Sequence, residues 1–192
     1  MPKIASLLIF LFVALPPITA EEIVLENEEM RYRLNDSLEY YIDADAELTA
    51  DDVYTRKDAF KSFAGGVSQV PRSGVMWLSV TLDNASATAG WIMKNDMNVE
   101  LMELYLRKSG GFRLQQRSGN LVPFSERSLR ILYPAFELNI PTGTRREVLI
   151  RVRDLQSSSV QLSIVVRDRF SNDYAEHTLF LGLAFGFFAA LI

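Results

Sequence analysis

Residues Val75–Asp83 alternate cleanly, with Met76, Leu78, Val80 and Leu82 on one side and Val75, Trp77, Ser79 and Thr81 on the other. A period of two is the mark of a strand with one face against a core. The same alternation recurs in Arg146–Arg153, through Val148, Ile150 and Val152, and in Val160–Val166, through Val160, Leu162, Ile164 and Val166. Further strands are predicted at Leu38–Asp43, Trp91–Lys94, Val99–Arg107 and Phe112–Gln116, with a short one at Ile23–Leu25. Lys108-Ser109-Gly110-Gly111 supplies a hairpin turn, and Pro141-Thr142-Gly143 another. Ile131–Leu138 reads as a strand that Pro134 confines to an edge or a bulge.

Helical signals are sparse. Thr49-Ala50-Asp51-Asp52 forms a capping box ahead of one helical turn beginning near Val53. Residues 55–74 hold Gly65-Gly66, Pro71 and Gly74 and read as a long irregular connection with a turn of helix at Ala59–Phe63. Many short, turn-punctuated strands with almost no helical period predict an all-β fold, an antiparallel β-sandwich. Periodicity alone leaves jelly-roll and immunoglobulin-like topologies both open, although the cysteine pair flanking a tryptophan that marks the latter is missing.

The two ends of the chain differ from this body. Met1–Ala20 has one basic residue, Lys3, an apolar stretch from Ile4 to Leu15 and a small-residue exit at Ala20, the build of a cleavable signal peptide. Thr178–Ile192 is an apolar run that reads as the first part of a transmembrane helix, since a full crossing takes about 20 residues. The expected organisation is therefore a signal peptide at 1–20, a leader at 21–37, a periplasmic sandwich at 38–170, a juxtamembrane linker at 171–177 and an incomplete first membrane helix at 178–192. Gly182 and Gly186 have the spacing that lets helices approach closely, in a bundle or a homodimer.

Composition narrows the function. The chain carries 24 acidic and 20 basic residues for a net charge of −4, with no basic cluster, which argues against a nucleic-acid partner. There is no cysteine, so an exported domain of this kind must hold together by packing, as suits a bacterial periplasm. A single histidine, His177, leaves no material for a zinc site or a Ser-His-Asp triad. No carboxylate pair stands out for hydrolysis, so no catalytic residue, metal or cofactor is expected and the chain does not read as an enzyme. Asp43, Asp45 and Glu47 alternate like the start of a calcium loop, but Leu48 stands where that loop requires glycine and Tyr54 where it requires glutamate. A solvated acidic turn is the simpler reading, with a structural calcium site of another kind as its rival.

Several stretches carry a family resemblance. Trp77-Leu78-Ser79-Val80-Thr81-Leu82-Asp83-Asn84, then Leu104-Tyr105-Leu106 with Gly110-Gly111, then Gly119-Asn120-Leu121-Val122-Pro123-Phe124-Ser125-Glu126-Arg127 follow in an order that resembles the extracellular sensor region of bacterial seven-transmembrane receptors with diverse intracellular signalling modules. The resemblance runs from about Leu38 to Ile192. It implies a jelly-roll domain similar to carbohydrate-binding modules, displayed outside the inner membrane, with membrane helices and a cytoplasmic output module to follow. Met76 departs from the pattern, because the residue before the tryptophan is often aromatic in these domains.

Candidate ligand contacts follow from pattern and resemblance together. Trp77 and Ser79 fall on the face opposite the apolar row, where an indole could stack on a sugar ring, unless the 55–74 connection or the helical turn covers it. Trp91 opens its strand and reads as edge packing or a ligand contact. Phe124, Glu126 and Arg127 lie in a loop that could offer a hydrogen-bonding pair to a polyol or an anion. Structurally, Phe124 could instead plug the end of the sandwich while Arg127 pairs with an acidic neighbour. The function expected is ligand sensing, with a small molecule such as a carbohydrate as partner and the membrane as anchor. The alternative is a membrane-anchored sandwich that docks a protein and takes no small ligand.

Overall fold

The computed structural model describes residues 22–26, 28, 31–63, 69–156, 158–175, 179 and 183. The predicted signal peptide, His177 of the predicted linker and most of the predicted membrane segment lie outside the described residues. Eleven strands run along the described chain: β1 (Ile23–Leu25), β2 (Tyr32–Arg33), β3 (Glu39–Asp43), β4 (Lys61–Ser62), β5 (Val75–Asn84), β6 (Gly90–Asn95), β7 (Leu101–Lys108), β8 (Gly111–Ser118), β9 (Ala135–Asn139), β10 (Thr144–Arg153) and β11 (Leu162–Val166). One short helix, α1 (Ala50–Tyr54), precedes β4, and α2 (residues 167–175) follows β11 directly.

The strands form two layers. The larger sheet has the order β4-β3-β5-β10-β7-β8, with β1 pairing in parallel to the far part of β5; the smaller is β2-β11-β6-β9. From β5 onward the chain changes layer at almost every connection, the β7–β8 hairpin being the exception. That interleaving is the jelly-roll form of the antiparallel sandwich. Between the layers lie the rows that alternation marked out: Met76, Leu78, Val80 and Leu82 of β5, Val148, Ile150 and Val152 of β10, and Leu162, Ile164 and Val166 of β11. Trp91 is enclosed in this core with Tyr32 edge-on at 6.2 Å.

Departures from the sequence reading have physical causes. Within the stretch expected as a leader, the short strand expected at Ile23–Leu25 is present as β1 on the larger sheet, and Tyr32–Arg33, outside the expected strands, adds β2 to the smaller one. Ala59–Phe63 is not a turn of helix. The 3-10 turn sits earlier, at Lys57–Ala59, and Lys61–Ser62 pairs with β3. The strand expected at Ile131–Leu138 begins only at Ala135, because Pro134 has no N–H to give; β9 is indeed an edge strand. Residues 171–175, expected as linker, are helical.

Two further elements cover the outer faces of the sheets. The capping box is present as predicted: Thr49 accepts from the Asp52 backbone N–H and Asp52 accepts from that of Thr49. It starts α1 over the larger sheet, where Ala50 and Val53 bury against Trp77, Val75, Leu149 and Phe112. On the smaller sheet, Phe170 and Tyr174 of α2 join Leu129 in packing on Ile92, Ile131, Ala135 and Val165. Among the described residues no helix is long and apolar enough to cross a membrane.

Candidate functional site

Strand register brings the first group of candidate residues to the outer face of the larger sheet. Tyr41 of β3 stands opposite Trp77 of β5, Arg151 of β10 stands on the other side of Trp77, Glu103 of β7 opposite Arg151, and Arg117 of β8 opposite Glu103. Trp77 is 1% exposed, because α1 and Tyr105 close over it, the Tyr105 ring at 5.5 Å. The covered alternative for this residue is the one the fold adopts. Among the described residues its indole N–H has no hydrogen-bond partner, and the Arg151 guanidinium lies 5.9 Å from the ring. Ser79 lies half-buried on the same face. Trp91 belongs to the inner core of the opposite layer, so the two tryptophans share no surface.

Beside Trp77 lies a charged cluster that sequence reasoning passed over. Glu103 is buried, yet accepts from Arg117 Nε at 2.9 Å and Arg151 Nη1 at 3.0 Å. Two guanidinium groups to one carboxylate leave the cluster with a surplus positive charge. Burial, and then the neighbouring Glu103 carboxylate, push the Tyr105 hydroxyl above its usual range. The signal for this cluster was available: Glu103 between Met102 and Leu104, and Arg151 between Ile150 and Val152, are opposite charges at matching places in apolar strands.

The second network fastens α1 to the sheet. Tyr54 hydrogen-bonds Glu147 at 3.1 Å and Arg107, while Arg107 also reaches Glu147 at 2.6 Å and Lys57 at 3.5 Å completes the group. Burial alone would raise the Glu147 carboxyl, but bonds from Arg107 and Tyr54 and the charge of Lys57 outweigh it and hold it below its ordinary value. Asp51 adds a third tie by accepting from the Phe112 N–H at 2.7 Å. That tie needs Gly111 in the hairpin: its φ is +104°, and a Cβ there would stand 2.6 Å from the Asp51 carboxylate. Three carboxylates of the acidic stretch are thus spent on the backbone, Asp43 accepting from Leu48 N–H, Asp51 from Phe112 N–H and Asp52 serving the cap.

The loop candidates lie elsewhere, along the free edge of β8. A cleft of about 370 Å³ runs between that strand and the loop 119–134, lined by Gln115, Gln116 and Arg117 on one side and Val122, Glu126 and Arg127 on the other. Among the described residues Arg127 pairs with no acid: its Nε and Nη1 donate to the carbonyls of Val122 and Ile131, drawing the loop into a compact turn. Phe124 does not plug the sandwich; it is exposed with the Arg127 guanidinium 5.4 Å from its ring. Glu126 is exposed at the rim. Arg117 therefore links the two regions, since it lines the cleft and also bonds Glu103.

The sequence profile described as 7TMR-DISM extracellular 2 matches residues 35–166, from the 3-10 turn before β3 to the last residue of β11. The chain belongs to this family, and is an extracellular, outward-facing domain of a seven-transmembrane receptor. No curated protein matches it.

Proposed function

We propose that this chain is the periplasmic ligand-sensing part of a bacterial inner-membrane receptor, and that it is not an enzyme. A small carbohydrate-like solute would occupy the cleft between β8 and the loop 119–134, and the event would pass to membrane helices and a cytoplasmic output module. One observation carries the reading. The loop that forms the cleft wall through Val122, Glu126 and Arg127 also packs through Leu129 and Ile131 in the apolar cluster that holds α2. A ligand shifts a conformational equilibrium only by binding one state better than another. A loop shared by cleft and helix would carry such a shift from one to the other. The polar lining, with two amides, two guanidinium groups and a carboxylate, suits a hydroxyl-rich or acidic sugar.

The test is a thermal-shift screen of neutral and acidic sugars against the whole chain and against a Glu126→Ala variant. A ligand present at a hundred times its Kd stabilises by about 2.7 kcal/mol, which moves the midpoint by several degrees. A shift that Glu126→Ala diminishes supports the reading. No shift with any solute, or one that Glu126→Ala leaves unchanged, removes it.

A further inference from the structure

Register sorts every connection of the sandwich to one of two ends. Arg153 pairs with Leu101, Met102 with Ser118, Asn95 with Leu162 and Lys94 with Ala135. The connections 96–100, 119–134 and 154–161 therefore share one end, and the turns 85–89, 109–110 and 140–143 share the other. Exposed large apolar side chains are not spread evenly between them. Met97, Leu121, Phe124, Leu132, Tyr133 and Leu155 all belong to connections at the first end, Leu132 being 70% exposed and Leu121 58%.

The path of α2 leads to the same end. It starts beyond Val166, which pairs with Trp91 at the opposite end, and Arg167 reaches Glu137 at 3.6 Å. Phe170 and Tyr174 then pack in the cluster that includes Ala135 and Ile131, so the helix runs back over the outer face of the smaller sheet. Nine helical residues span about 13 Å, close to the length of the five-residue β11, which brings the helix level with the loop 119–134. Thr178, where the apolar run begins, is four residues past Tyr174 and so at most about 14 Å from it. Leu179 and Leu183, within that run, are helical and exposed.

We infer that this end of the sandwich is a bilayer-contact surface, with Leu121, Leu132 and Tyr133 seated in the lipid headgroup and upper acyl region. Six apolar side chains in water at one end are costly, and α2, which runs toward that end, is followed in sequence by an apolar segment. Tyrosine is favoured at the membrane–water boundary, where its ring and hydroxyl meet different media. Contacts of this kind would fix the tilt of the sandwich and hold the loop 119–134 between cleft and lipid. The inference rests on the membrane-associated placement of the domain, and not on any ligand.

Absence of cysteine makes the test direct. The whole chain carrying Leu132→Cys, Leu121→Cys or, at the opposite end, Val24→Cys is labelled with an environment-sensitive fluorophore and reconstituted into phosphatidylcholine–phosphatidylglycerol nanodiscs. Emission is read on the disc-bound fraction, with and without lipids bearing a quencher in the upper acyl chain. Labels at 132 and 121 should lose several-fold more emission to the quencher than the label at 24. Equal, weak quenching at all three positions overturns the inference. A failed sugar screen beside strong quenching at 132 would remove the sensing proposal and leave this one standing.

Discussion

The carboxamide of Gln116 in β8 hydrogen-bonds the backbone of Glu137 in β9 in both directions, donating to its carbonyl at 2.5 Å and accepting from its N–H at 3.0 Å. A side chain thereby takes the place of a neighbouring strand along one edge of the smaller sheet. It ties the two layers together beside the cleft, and Ser128 of the loop adds a bond to the same amide oxygen at 2.5 Å.

Replacing Gln116 by leucine should therefore leave a partly buried N–H and carbonyl on Glu137 without partners. The expected loss is about 1–3 kcal/mol in urea unfolding, with an unchanged slope. Gln116→Glu keeps the acceptor but loses the donor, and should fall between. A leucine variant as stable as the parent would show that the pairing contributes nothing net.

The Glu103 cluster predicts a rank order. Glu103→Ala strands two guanidinium groups, one of them well covered, and should cost about 3–5 kcal/mol. Arg117→Ala removes a partner whose side chain is 58% exposed and should cost no more than about 1 kcal/mol. Arg151→Ala should lie between, since it also removes packing against Trp77. Urea midpoints measured for the three variants decide it, and a reversed order would mean that Arg117 is the principal partner.

Glu147 gives a pH dependence with a definite sign. Its carboxyl is held below the ordinary 4.5 in the folded chain, so the unfolded chain binds the proton more readily. The stabilisation is complete above pH 4.5 and drains away as pH falls through the lower folded value. Glu147→Gln should thus be less stable than the parent at pH 7, and the gap should close under strongly acid conditions. A gap that is constant across the range would assign the loss to packing rather than to charge.

Much of this fold was legible because alternation reports directly on two-faced strands. The β5 rows, the capping box at Thr49 and both glycine-bearing turns appear where the pattern puts them. What stayed hidden depends on partners distant in sequence. Trp77 reads as outward from its own strand, and only α1, brought across from residues 50–54, decides that it is covered. Asn35-Asp36-Ser37 and Asn84-Ala85-Ser86 match the glycosylation acceptor pattern, which is too common to carry weight. Folded, Asn84 is buried and donates to Thr88 and Ile140 carbonyls, while Asn35 bridges Val160 and Leu162. The cleft could be guessed only as a loop, because its other wall is the edge of β8.

Burial of both tryptophans yields an optical test of the covered face. A Trp91→Phe variant leaves Trp77 as the sole indole, and its emission should be blue-shifted and almost untouched by iodide until the chain unfolds. Strong iodide quenching under native conditions would mean that α1 lifts off the sheet, and would return Trp77 to the set of residues a solute can reach.

The join between loop and helix can be tested apart from any ligand. Ile131 is buried in the cluster holding Phe170 and Tyr174, while its carbonyl receives Arg127 from within the loop. Ile131→Ala should cost about 2–4 kcal/mol if the cavity cannot collapse. Its distinctive effect should be local: faster amide exchange in 167–175 and in 119–134, with the β5–β10 ladder protected as before. Exchange that rises in the loop while the helix keeps its protection would show the two elements to be independent. The cleft would then have no mechanical route to the helix through this cluster, and sensing through it would need another path.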